Sequence, residues 1–108
     1  MPIQHVDPAK IAAVLRYLEQ HFSNHVLATF PHPENPQQQG YRIGWKGDGR
    51  LAHAFVVCQE FFHATEIHRI ATKLKAYNLA YALHSTNSNH VMVTARGIHW
   101  ERGAVFPR

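Results

Sequence analysis

The 108-residue sequence predicts an α+β fold: a small antiparallel sheet with two amphipathic helices packed on one face. Three observations lead there. A capped amphipathic helix opens the chain. A Gly-Asp-Gly turn then separates two alternating apolar runs. A second helical stripe comes next, with further short alternating segments behind it.

The first helix starts at Asp7, a good N-cap, with Pro8 at N1, where its missing N–H leaves no bond unmade. Val6 and Ile11 have the spacing of a hydrophobic staple. Ile11, Val14, Leu15, Leu18 and Phe22 form one apolar stripe, and Ser23-Asn24 ends the helix. A short strand is expected over His25 to Phe30. Residues 31–40 then read as a Pro/Gln-rich loop, mobile and exposed, because three prolines fix φ and remove donors.

Tyr41 to Gln59 reads as a hairpin about Gly47-Asp48-Gly49. Setting Trp45 opposite Leu51 places Ile43 opposite His53 and Tyr41 opposite Phe55. One face then carries Tyr41, Ile43, Trp45, Leu51, His53, Phe55 and Val57, an apolar set with His53 as its odd member. The other face is basic and small near the turn, with Arg42, Lys46 and Arg50. It becomes apolar through Ala54, Val56 and Cys58, so its distal half needs cover from a helix or a partner chain.

The second helix is expected from Ala64 or Thr65 to Tyr77, with Ile67, Ile70, Ala71 and Leu74 on its apolar side and Asn78 closing it in the left-handed conformation. Leu79, Tyr81 and Leu83 alternate with alanines, which predicts a strand. Val91, Val93 and Ala95 predict another across an Asn/Ser-rich turn. The tail, 97–108, holds Ile98, Trp100, Val105 and Phe106 and reads as a docking segment. A competing layout joins 65–83 into two helices broken near Asn78 and makes 84–96 the wing of a winged helix. The stretch Val93 to Trp100 resembles the end of such a domain, over too few residues to carry a function.

The size is that of a single domain, 1–108. One cysteine, Cys58, excludes an internal disulfide and a cysteine-rich zinc knuckle, and its apolar neighbours read as a buried thiol. No apolar run approaches the roughly 18 residues of a membrane span. The N-terminus lacks a basic start and an apolar leader core, so a cytoplasmic protein with no membrane partner is expected. The net charge of +4 arises wholly beyond residue 64, where Arg69, Lys73, Lys75, Arg96, Arg102 and Arg108 face Glu66 and Glu101. Of these, Arg69, Lys73, Lys75 and Arg96 are the candidate nucleic-acid contacts, with a helix face and a strand end able to meet phosphate.

Ten histidines are the compositional anomaly. His63 and His68 are wrongly spaced to converge on a helix. Glu60, His63 and Glu66 would share a side only if the helix began early, and His21 and His25 straddle a helix end. Pairing Leu83 with Val91 makes His84 and His90 opposed neighbours, with Cβ atoms about 5 Å apart. These two are therefore the candidate ligands of a divalent metal such as zinc, the only cofactor in view. No nucleophile elbow, carboxylate pair or phosphate loop is present, which points away from an enzyme. Apolar residues on both hairpin faces and in the tail favour a non-enzymatic, homodimeric interaction module. The alternatives are a nucleic-acid-binding accessory protein, possessing a basic helix face, and a metal protein.

Overall fold

The structure, a computed structural model, describes residues 6–85 and 91–101. Helix α1 is Pro8–His21, followed by strands β1 (His25–Pro31), β2 (Gln38–Trp45) and β3 (Leu51–Cys58). Helix α2 (Gln59–Ala64), a 3-10 turn at Ile67–Arg69, and helices α3 (Ile70–Ala76) and α4 (Leu79–Ser85) come next. Strands β4 (Val91–Thr94) and β5 (Gly97–Trp100) complete the order. The five strands form one sheet in sequence order. It is mixed rather than antiparallel, because β3 and β4 run parallel, with Phe55 beside Val91 and Val57 beside Val93. Parallel neighbours need a crossover, and here it contains α2, α3 and α4.

The start of α1 obeys its capping chemistry: Asp7 accepts from the Ala9 N–H at 2.9 Å, with Pro8 in the first turn. Its buried residues are Ala13, Val14, Tyr17, Leu18 and the capping Phe22, while Ile11 and Leu15 are only half-buried. The stripe is thus rotated toward Tyr17 from the expected one.

Residues 79–83 form helix, not strand. Leu79, Ala80, Ala82 and Leu83 are buried while Tyr81 is 73% exposed, which is a helical pattern. Alanine satisfies either period, and its helix propensity decides the segment locally. Asn78, at φ 57°, breaks α3 from α4, and its carbonyl accepts from the Ala82 N–H at 2.9 Å. Two further boundaries differ. Gln38, Gln39 and Gly40 belong to β2, and Gly97–Trp100 of the expected tail is β5. The remaining loop is organised by His32, which is buried and whose Nδ1 accepts from the backbone N–H groups of Glu34 and Asn35 at 3.1 and 3.0 Å.

Tyr41 opposes Phe55 and Ile43 opposes His53, as expected. Beyond Ile43 the register shifts, so that Gly44 rather than Trp45 meets Leu51 and Ala52 is the extra residue. This bulge reverses the face of Leu51. Trp45 and Leu51, expected in the core, are 46% and 37% exposed.

One apolar cluster unites α1, α2, α3 and α4 with Tyr41, Ile43, Phe55, Val57, Val91 and Val93 of the sheet. Tyrosine hydroxyls tie the layers together. Tyr41 donates to the Ile11 carbonyl at 3.0 Å, Tyr77 donates to the Ala95 carbonyl at 3.1 Å, and Tyr17 accepts from the Ala80 N–H at 3.2 Å. Lys10 adds a bond from its ammonium to the Phe62 carbonyl at 2.6 Å. A second, smaller cluster of Ala54, Val56, Phe30 and Met92 occupies the opposite sheet face, and no described helix contributes to it. No described helix is long and apolar enough to cross a membrane.

The Ala80 N–H sits in the first turn of α4, and Tyr17 is its buried acceptor. Tyr17→Phe is expected to lower stability by about 1–3 kcal/mol through the orphaned donor, measured by urea unfolding, with the α1 helix signal retained.

Candidate functional site: a histidine cluster and an open strand edge

The end of α1, the bulged end of the β2–β3 hairpin and the end of α4 meet around one ring. Phe22 stacks on His84 at 4.5 Å between centroids, and its ring meets His25 at 5.5 Å and His53 at 5.6 Å edge-on. His53 and His84 are 5.9 Å apart, and His25 packs on Trp45 at 4.4 Å. His53 is only 8% exposed. Its Nδ1, and both ring nitrogens of His25, are buried with no hydrogen-bond partner among the described residues. Burial holds the His53 imidazole below its ordinary range, and positive charge on His84 and then on His25 acts in the same direction.

This is not the arrangement expected for the metal candidates. His84 lies on helix α4 rather than on a hairpin strand, and His90 lies outside the described residues. Glu60 and His63 are on α2, which ends at Ala64, and the extended Thr65 turns Glu66 off that helix; Glu66 pairs instead with His68 at 3.4 Å. No group of three or more His, Cys, Asp or Glu among the described residues is arranged to hold a metal ion.

The basic candidates divide. Arg69 and Lys73 line one open cavity of about 360 Å³ with Thr65, Glu66 and Thr72. The Lys73 ammonium donates to the Thr65 hydroxyl at 3.2 Å and lies 5.8 Å from the Phe61 ring centroid. Lys75 is exposed on α3 and does not line that cavity. Arg96 is exposed in the β4–β5 turn, where its backbone N–H bonds Thr94 Oγ1 at 3.2 Å. Arg50, at the hairpin turn, pairs with Asp48 at 3.9 Å on an exposed surface.

Cys58 ends β3 and lines a shallow cavity with Glu60 and His63. Its thiol is pushed up to about 11 by burial, then by the charges of Glu60 and Glu101. That is opposite to what a nucleophile needs.

Comparison of the chain with protein-family models, with curated proteins and with solved structures gives no match in any of the three. The surfaces themselves are therefore the guide to function.

The sheet has two edges, β1 and β5. β5 is short, four residues, and is flanked by Arg96 and Glu101. β1 is seven residues long, His-Val-Leu-Ala-Thr-Phe-Pro, with no acidic, lysine or arginine side chain. It pairs with β2 without a bulge from His25–Trp45 to Pro31–Gln39, and its proline stands only at the last position. Val26 on it is 56% exposed. Its register places Val26 beside Gly44, which in turn pairs with Leu51, so the bulge extends the helix-free face by one exposed apolar row.

The raised Cys58 pKa has a direct readout. Iodoacetamide labelling of the folded protein near neutral pH is expected to be about a hundredfold slower than that of a free thiol, and to accelerate on unfolding.

Proposed function

We propose that the protein is a small non-enzymatic interaction module that works as a homodimer through β1. The observation that carries this reading is the β1 edge: seven residues long, without an acidic, lysine or arginine side chain, and unprotected by a bulge. Such an edge offers a row of backbone donors and acceptors to another strand. Monomeric proteins ordinarily blunt it with charge, proline or a short length. β5 is short and flanked by charge, whereas β1 is longer, has no acidic, lysine or arginine side chain, and has its proline only at the last position.

A second copy is the partner the strand fits best. Antiparallel pairing about Ala28 is two-fold symmetric, so one patch serves both copies. It sets Val26 of one copy against Phe30 of the other, and Leu27 against Thr29. No like charges are brought together, and each apolar cross-strand pair contributes about 0.2–1 kcal/mol. The pairing also brings the two helix-free faces side by side, with Arg42 of each copy standing between Ala28 and Ala54.

A second reading rests on a separate observation, the shared cavity of Arg69 and Lys73, lined by the segment from Ala64 to Ala76 of the crossover. Under it the module binds nucleic acid through that helix face, with Lys75 beside it. Retention on DNA or RNA at low salt, released as salt rises and lost in Arg69→Gln/Lys73→Gln, supports this reading. Retention unchanged by those substitutions sinks it.

For the dimer, light scattering at micromolar concentration is expected to give twice the chain mass. Val26→Lys should return a folded monomer, judged by an unaltered circular dichroism spectrum. A wild-type monomer across the micromolar range overturns the proposal.

A further inference from the structure

The ring cluster around Phe22 is not explained by a β1 interface or by the basic cavity. Its members come from every element at that end. β1 contributes His25, β2 Trp45, β3 His53, α4 His84 and the end of α1 Phe22. His21, also at the end of α1, is turned away onto Tyr17 at 4.5 Å. None of these ring contacts brings in a carboxylate. The described ion pairs lie at Asp48–Arg50, Glu66–His68 and Glu101–His99.

A neutral imidazole needs one donor and one acceptor satisfied, whereas the cation needs two acceptors. His53 already leaves Nδ1 buried and unpartnered, and His25 leaves both nitrogens so. A proton at His53 Nδ1 finds no acceptor among the described residues, and the His53 ring lies beside that of His84. The surroundings of His53 therefore resist its charged form.

The element best placed to yield is the last turn of α4. That helix has seven residues, too few to persist without its packing. It is joined to α3 through the single left-handed residue Asn78, and its end is held by the stack of His84 on Phe22.

We infer that His53, within the ring cluster of Phe22, His25 and His84, is a proton-operated latch, which holds the end of α4 on the sheet when neutral and releases it when protonated, while the rest of the core stays folded. It does not depend on the pairing proposed for β1.

The direction is set by His53. Its pKa in the closed state lies below the ordinary 6.5. The closed state therefore has the full contribution of this residue above that value. The contribution is lost as pH falls through the closed-state pKa, because the open state binds the proton more readily. The opening equilibrium rises by about tenfold for each pH unit separating the two pKa values.

The test combines a histidine-ring NMR titration with amide hydrogen exchange on the full chain between about pH 8 and 5, the histidine range. His53 should titrate below 6.5, and exchange is corrected for its intrinsic pH dependence. Protection at Leu83, His84 and Ser85 should fall by the factor that this titration sets, while Phe55 and Val57 keep theirs. His53→Gln should abolish the fall. If that variant does not fold, the exposed His84→Gln serves: the His53 pKa should move up and the fall should shrink with it. Constant protection at Leu83–Ser85 across the range overturns the latch. So does loss of protection at Phe55 and Val57 in step with α4, which is global acid unfolding.

Discussion

The parallel pairing of β3 with β4 is the constraint on which the rest of the structure depends. Two parallel strands cannot be joined by a tight turn, so the chain must leave the end of β3, travel back along the sheet and re-enter at Val91. The segment from Gln59 to Ser85 makes that journey as short helices, and its buried residues share one core with α1. Helical cover is thereby concentrated on the face that holds Tyr41, Ile43, Phe55 and Val57. The opposite face keeps only Ala54, Val56, Phe30 and Met92, and the sheet ends in two strands of unlike character. The accessible surfaces are consequences of that one crossover.

The parts of the fold legible in the sequence are those fixed by local chemistry. Asp7-Pro8 marks a helix start because capping and the proline ring act within one turn. The Gly-rich turn and the alternation around it place Ile43 against His53 and Tyr41 against Phe55. The bulge at Ala52 is invisible to alternation, since an extra residue leaves each strand looking regular while reversing the faces of the residues beyond it. Alternation puts Leu51 in the core for that reason, while Trp45 keeps its expected face and is exposed at the sheet's end, where it packs on His25. Residues 79–83 are ambiguous in a different way. Alanine between large apolar residues fits both periods, and only burial of Ala80 and Ala82 with exposure of Tyr81 separates them. The competing layout, with two helices broken at Asn78, is the sounder reading of that stretch, although β4 and β5 then join the five-stranded sheet.

The same ambiguity governs which histidines look important. His84 gains an opposed partner only if its segment is a strand. As part of α4 it stacks on Phe22 instead. His53 stands out correctly as the polar member of an apolar face. His25 carries no usable signal, because its contacts come from the pairing of β1 with β2 and from a ring at the end of another element. The abundance of histidine thus has no single cause: His32 orders a loop, His68 and His99 face carboxylates at the surface, and His25, His53 and His84 gather around the Phe22 ring.

The crossover also orders events in time. The β1–β2–β3 meander closes through short connections, and its contacts join residues near in sequence. β3 can meet β4 only after the whole intervening segment has been drawn in, at a loop-closure cost the meander does not bear. A nascent chain therefore possesses a three-stranded sheet, with both β1 and β3 as bare edges, before its last two strands arrive. The central strand of the finished sheet is, for that interval, an edge of apolar Phe55, Val56 and Val57, which closes only when β4 pairs with it.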